Sequence, residues 1–167
     1  MTEDEWLDRH GLHPTGADLD EVRRLLVERT RLEEEEQGDG DTRLMKLCCV
    51  QLFHAGVLDD VPLIWEAKAA SMDASCSIDV QLLCGGGLEA TKRYLRYRCT
   101  PGAGTPGAGT PGAGAPEAEA STDEAAKESA ADAEHALGWL LDCERAGDFE
   151  DFTVEGRSAC YAASYAS

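Results

Sequence analysis

A short turn pattern that occurs three times constrains the fold of this chain more than any other feature. Each copy contains a helix-like apolar stretch, a small residue, glycine, one variable residue, leucine or phenylalanine, and an acid. The copies occupy residues 52–59, 82–89 and 142–150. The glycines of the first two copies, Gly56 and Gly86, are 30 residues apart. This distance falls within the periods of repeat architectures and predicts a repeated structural unit.

The repeated unit is predicted to be an antiparallel helical hairpin. Glycine ends the first helix because it adopts positive φ without steric cost. The acid that follows stabilises the start of the next helix. One hairpin cannot bury its apolar face alone, so hairpins stack on one another. The predicted fold class is therefore all-α, with stacked antiparallel helical hairpins arranged like an α-solenoid and a disordered Pro/Gly-rich insertion.

Apolar residues at spacings of three and four predict the helices between these turns. Thr2 and Glu5 form the pattern of a capping box for a first helix. A second helix begins near residue 18 and is expected to end in a solvated acidic run at residues 33–36. Asp59 is expected to cap a later helix. Residues 72–77 are expected to be a loop, and residues 78–84 a short helix.

The composition of the chain changes at residue 100, where the sequence Thr-Pro-Gly-Ala-Gly is repeated without any core-forming side chain. We therefore expect three parts. Residues 1–99 form the helical-hairpin region, residues 100–132 form a low-complexity flexible linker, and residues 133–167 form a helical pair that packs on the first region. The alanine-rich later part of the linker is compatible with helix.

Deletion of residues 100–120 is expected to leave the fold intact, because the insertion is predicted to be a loop and not a domain boundary. The short helical segment after it would rarely make a core alone. Thermal unfolding followed by circular dichroism tests this expectation. Loss of the cooperative transition in the shortened chain would contradict it.

The charge of the chain limits its partners. The 15 basic and 33 acidic residues give a net charge of −18, which argues against nucleic acid and anionic membrane surfaces as partners. A basic protein is the partner that this charge favours. No apolar run approaches the ~18 residues of a membrane span, and the acidic segment 1–6 is unlike the basic start of a signal peptide. These features predict a cytoplasmic protein.

The seven cysteines predict buried free thiols in a reducing compartment, because their number is odd and no Cys-x-x-Cys pair occurs. Cysteine and histidine are zinc ligands, which makes Cys48, Cys49, His54 and Cys84 the first metal candidates. Their spacing is not that of known zinc sites, so we expect neither a metal nor another cofactor. His54 follows the adjacent cysteines by five and six residues, which does not place a base on their helix face.

The segments Ala55-Gly56-x-Leu58-Asp59-Asp60-Val61 and Leu82-Leu83-x-Gly85-Gly86 resemble ankyrin-like helical repeats over about residues 42–98. In that family, the first segment is similar to the turn between the two helices of a repeat. The second is similar to the end of the outer helix. The resemblance implies a non-catalytic surface that binds proteins.

Five residues form the predicted partner-contact site: Trp65, Lys68, Asp73, Asp79 and Gln81. A tryptophan beside a charged, loop-rich edge is where a helical stack would contact a partner. The first hypothesis is a non-enzymatic protein–protein interaction module whose partner is an unidentified protein. One alternative is an immunity-like antitoxin that covers a basic toxin enzyme. Another is an enzyme that uses a cysteine or a carboxylate.

Overall fold

The computed structural model describes residues 1–100 and 119–166, and the side chains of all of these except 119–124. The described residues contain helices and no strands, which confirms the all-α prediction. Two 3-10 segments, Leu58–Asp60 and Val80–Cys84, accompany eight α-helices in the described ranges. The α-helices are α1 Glu3–His10, α2 Ala17–Glu35, α3 Thr42–Ala55, α4 Val61–Ala69, α5 Met72–Ser77, α6 Leu88–Arg98, α7 Glu119–Ala146 and α8 Val154–Ser164.

Helix α3 lies at the centre of the molecule. It contacts α1, α2, α4, α5 and the segment Val80–Cys84. A helix that is apolar on all sides is one that is buried on all sides, and the sequence of α3 has this character. Its buried residues are Leu44, Met45, Leu47, Cys48, Cys49, Val50, Gln51, Leu52 and Phe53.

The two aligned glycine turns pack against each other. Gly56 ends α3 with a φ of 65°, as the sequence predicts. A Cβ placed on Gly85 would lie 2.3 Å from the carbonyl oxygen of Phe53, and one on Gly86 would lie 2.9 Å from Leu58 Cδ2. The backbones of the two turns therefore approach more closely than any side chain allows. Gly85 itself has a helical φ of −59°, so space and not φ requires glycine there.

The third turn joins the same part of the fold. Gly147 ends α7 with a φ of 95°, and Phe149 is buried. The side-chain amide of Gln81 donates a hydrogen bond of 3.0 Å to the carbonyl oxygen of Asp148. Thr153 then caps α8 by accepting a hydrogen bond from the amide of Gly156. The three recurring turns are thus linked through the segment that precedes the second one.

The acidic end of α2 differs from the prediction of a solvated run. Glu33 is 1% exposed and accepts hydrogen bonds from the amides of Gly38 and Gly40 at 2.9 and 3.1 Å. Its other oxygen accepts a bond of 2.5 Å from the Ser71 hydroxyl. The carboxylate is buried because it organises the loop after α2 and attaches this loop to the start of α5.

Three local predictions were wrong. Residues 72–77 form helix α5 and not a loop, because Ser71 caps the helix by accepting a bond from the Ala74 amide. The short helix expected over residues 78–84 is the 3-10 segment Val80–Cys84. Asp59 does not cap α4, since it lies in a 3-10 turn. Asp60 precedes α4 instead, and both of its oxygens accept hydrogen bonds from Arg23 of α2 at 2.7 and 2.9 Å.

Helix α7 begins at Glu119, before residue 133 where the closing helical pair was expected. The later part of the expected linker is therefore helical, in keeping with its alanine content. Residues 101–118, which contain most of the Pro/Gly-rich repeat, lie outside the described residues. Helix α7 packs on α6 and α4, and Lys92 of α6 donates hydrogen bonds to Glu144 at 2.9 and 3.1 Å.

Gly85→Ala is expected to destabilise the protein by about 2 kcal/mol or more, because overpacking against a rigid carbonyl displaces backbone. Gly138→Ala is the matched control. Gly138 lies within α7 with no atom near its added Cβ, so alanine there is expected to stabilise by about 0.5–1 kcal/mol. Urea unfolding followed by circular dichroism measures both free energies. Equal stabilities of the two variants would contradict the close-approach interpretation.

Candidate functional site

A groove runs along α7, bounded by α4 and α5 at one end and by α2, α4 and α6 at the other, and we call it the α4–α7 groove. It consists of two cavities of about 450 and 640 Å³ that share Trp65 and Asp132. The larger cavity is lined by Trp65, Lys68, Ala69, Ser71, Met72, Ser75, Asp132, His135 and Trp139. Two tryptophans and a methionine give this part of the surface an apolar character, which is typical of a binding site.

Two of the large apolar side chains on the α4–α7 groove are open to solvent. Trp139 is 48% exposed and Met72 is 72% exposed. Trp65 is half-buried and packs against the core. Single exposed apolar residues are ordinary, but several on one concave surface indicate a place where another molecule binds. Tryptophan is also enriched among the residues that dominate binding energy in interfaces.

The floor of the groove is fixed by a buried lysine. Lys68 is 5% exposed, and its ammonium donates hydrogen bonds to the carbonyl oxygens of Ser75 and Ile78 at 2.6 and 2.7 Å. These carbonyls lie at the C-terminal end of α5, where a cation is favourable. Burial lowers the pKa of Lys68. The ammonium also lies 5.8 Å from the centroid of the Trp139 ring, so it connects α5 to α7.

Carboxylates line the smaller cavity of the groove. Glu34, Glu66, Glu128 and Asp132 all contribute to its wall, together with Arg31 and Arg98. Burial raises the pKa of Glu66, and the nearby charges of Asp132 and Glu34 raise it further. Repulsion between these carboxylates would decrease if a cationic group entered the cavity. The groove therefore combines apolar contacts with a preference for positive charge.

The structure places the five predicted partner-contact residues in two regions. Trp65 and Lys68 line the groove, and Asp73 is exposed on α5 beside it. Asp79 accepts a hydrogen bond of 3.2 Å from the Tyr161 hydroxyl and pairs with Lys46 at 3.2 Å. Gln81 binds the third turn, as described above. Asp79 and Gln81 thus make contacts within the protein that position α8 and the end of α7.

Sequence reasoning missed Trp139 and Met72. The exposure of Trp139 could have been predicted from the sequence, because Trp139 lies outside the apolar stripe of α7 to which Ala136 and Leu140 belong. Both of those residues are buried. A tryptophan off the apolar stripe of a helix is exposed unless another element covers it. Met72 could not be found in the same way, since its segment was predicted to be a loop.

The cysteine candidates are buried, and burial disfavours their thiolate forms. Cys48, Cys49 and Cys84 are 0% exposed, and all seven cysteines are free. Burial raises the pKa of Cys48 and of Cys84 to about 12, and burial and the neighbouring Cys48 raise the pKa of Cys49. The nucleophile and the metal ligand are the thiolate form. These three thiols are protonated at neutral pH and serve as core residues.

His54 forms a hydrogen bond of 2.9 Å with the Ser158 hydroxyl of α8 through Nδ1. Its ring also packs against that of His13 in a tilted arrangement, with centroids 4.3 Å apart and an interplanar angle of 56°. Burial, and to a smaller extent His13, lowers the pKa of His54 to about 4. A group with so low a pKa is a weak general base at neutral pH. The pair therefore attaches α8 to α3 and does not activate the serine.

Comparison with known proteins adds no relative. No protein-family model, curated protein or solved structure matches the chain. The ankyrin-like resemblance and the solenoid-like stacking of hairpins therefore stay predictions. Among residues 1–100 and 119–166, no helix combines the length and the apolar character that a membrane span requires.

His54→Gln is expected to reduce the acid sensitivity of the fold. The folded-state pKa of about 4 lies below the ordinary value of 6.5, so neutral His54 contributes stability above pH 6.5 that is lost as the pH falls towards 4. Partial exposure limits this contribution to about 1–2 kcal/mol. Urea unfolding at a series of pH values measures it.

The exposed His135 provides the control for this experiment. His135→Gln is expected to lose as much free energy of unfolding as the original protein between neutral and acid pH. His54→Gln should lose less. A pH dependence of His54→Gln parallel to that of the original protein would show that His54 is not the titrating group.

Proposed function

We propose that the protein is a non-enzymatic interaction module that binds a basic protein segment in the α4–α7 groove. The observation that supports this most directly is the combination of exposed Trp139 and Met72 with half-buried Trp65 along one groove. Apolar anchors of this kind supply binding energy when a partner removes them from water. Lys68 and the elements it connects hold the groove in shape before binding, which lowers the entropic cost.

The sign of the partner's charge follows from the groove wall. Glu34, Glu66, Glu128 and Asp132 surround the smaller cavity, and the chain as a whole carries a net charge of −18. A partner with an apolar side chain flanked by lysine or arginine would satisfy both cavities. The overall charge would also accelerate the encounter with such a partner at low salt.

An immunity-like antitoxin is the second candidate, because it needs the same basic partner. The antitoxin role differs from a general interaction role in the consequence of binding. For an antitoxin, the partner is an enzyme, and formation of the complex blocks the activity of this enzyme. The alternative of a cysteine enzyme that uses Cys48 or Cys49 has no support, since their thiols are buried and protonated. Cytoplasmic location belongs with either interaction role and stays part of the proposal.

Trp139→Ser is expected to weaken partner binding by about tenfold or more, the loss typical of a tryptophan hot spot. The protein is immobilised, retained proteins are identified by mass spectrometry, and the affinity of the purified partner is then measured. Val57→Ser is the control, because Val57 is 39% exposed and does not line the groove. Binding should also weaken as salt rises from about 0.1 M to about 0.5 M, since charges across the groove become screened.

Two outcomes would contradict the proposal. One is a partner that Trp139→Ser binds as tightly as the original protein does. The other is binding that is insensitive to salt, which would exclude recognition by the carboxylates. If the partner is an enzyme that excess protein inhibits, the antitoxin role is favoured over a general interaction role.

A further inference from the structure

His10, the last residue of α1, has a buried side chain that forms no hydrogen bond. The side chain is 3% exposed, and both Nδ1 and Nε2 lack a hydrogen-bond partner. A buried polar group without a partner carries a free-energy cost and is rare in folded proteins. One explanation for such a group is an ion that it binds.

Two carboxylates of the first turns of α2 face this imidazole. Asp18 Oδ1 lies 3.4 Å from Nδ1, and Glu21 Oε2 lies 3.5 Å from Nε2. One ligand atom from each of the three residues lies within 4.8 Å of the other two. Asp18 and Glu21 are three residues apart, so they share a helix face. Their side chains are 62% and 48% exposed, which leaves solvent access to the cluster.

The contact between a carboxylate oxygen and a ring nitrogen of His10 has the length expected of two ligands of a common metal ion. Bonds of about 2.0–2.2 Å from zinc to nitrogen and oxygen place neighbouring ligand atoms about 3.3–3.5 Å apart around a tetrahedron. Asp18 and Glu21 approach different ring nitrogens, so only one of the separations of 3.4 and 3.5 Å joins two ligand atoms of a single ion, but both are close to this value. They are long for N–H···O hydrogen bonds, whose commonest length is about 2.9–3.0 Å.

A set of neighbouring side chains positions the imidazole. The Trp6 ring packs against it with centroids 4.0 Å apart. Trp6 Nε1 donates a hydrogen bond of 2.9 Å to Gln51 Oε1, and Gln51 Nε2 donates one of 2.6 Å to the carbonyl oxygen of Gly11. Gln51 itself is fully buried in α3. Outer contacts of this type orient the ligands of metal sites.

We infer that His10, Asp18 and Glu21 form a binding site for a divalent transition-metal ion such as Zn²⁺. One ring nitrogen and one oxygen from each carboxylate are the protein ligands, and water completes the coordination. Imidazole and carboxylate together suit zinc, manganese and cobalt better than calcium, which takes oxygen ligands alone. The ion would connect the end of α1 to the start of α2 and would bind one nitrogen of the buried imidazole, which lacks a hydrogen bond. This site is independent of the α4–α7 groove.

Cobalt(II) alone is the probe in the experiment that tests the site. In the variant Trp65→Phe/Trp139→Phe, Trp6 is the remaining tryptophan of the three in the sequence. Because its ring lies 4.0 Å from His10, a bound Co²⁺ ion is expected to quench its fluorescence. Zn²⁺ does not absorb at the wavelengths of tryptophan emission and should not quench it. Added Zn²⁺ that displaces Co²⁺ from the site should therefore restore the emission.

Glu21→Gln and His10→Gln are each expected to weaken cobalt binding by at least about tenfold. Loss of a residue that only orients a metal ligand already lowers metal affinity by about tenfold or more, and loss of a ligand should cost at least as much. Glu21 is half-exposed, so its variant tests the site even if His10→Gln does not fold. Asp20→Asn is the matched control, because Asp20 belongs to the same turn but pairs with Arg23. It should bind Co²⁺ as the parent variant does.

Two results would overturn the inference. The first is no quenching at millimolar Co²⁺. The second is equal quenching in Glu21→Gln and in its parent, which would place the ion elsewhere. Either result would leave the cluster as contacts between the His10 imidazole and the carboxylates of Asp18 and Glu21.

Discussion

The burial of α3 is the constraint on which the rest of the structure depends. Between Leu44 and Phe53 every residue of this helix except Lys46 is buried, so the other helices must cover it almost completely. Gln51 is the polar side chain buried within it, and both ends of its amide are used to attach α1. A fully paired amide in a core costs little, whereas an unpaired buried polar group costs about 1–3 kcal/mol. The core therefore specifies where α1 lies.

The glycine pattern shows what a sequence reveals about such a core and what it does not. It predicted three turns, and positive φ at Gly56 and Gly147 accounts for two of its glycines. The capping residues Thr2 and Asp41 act over three residues, so local sequence could predict them as well. The requirement for glycine at position 85 has another cause. The carbonyl of Phe53, 32 residues earlier in the chain, leaves no space for a Cβ. Contact between distant segments is not visible in local patterns.

The errors in the predicted fold have the same origin. Glu33 begins a run of four glutamates and looks like the start of an acidic tail, yet it is buried by partners at residues 38, 40 and 71. Helix α5 was taken for a loop because its six residues carry no apolar period. Its ends are fixed by Ser71 and by Lys68, whose ammonium comes from another helix. Side-chain hydrogen bonds over long sequence separations override local propensity.

Both candidate sites lie where an outer helix meets the elements around α3. Buried Ala133 and Ala136 allow α7 to approach closely, while Trp139, on a different face of the same helix, projects over the α4–α7 groove. At the other junction, His10 ends α1 against the first turns of α2. Each site contains a residue that breaks a local rule, a tryptophan off the apolar stripe or a buried imidazole without a hydrogen bond. Departures of this kind from local rules are expected at functional sites, which is why these two junctions are the candidates.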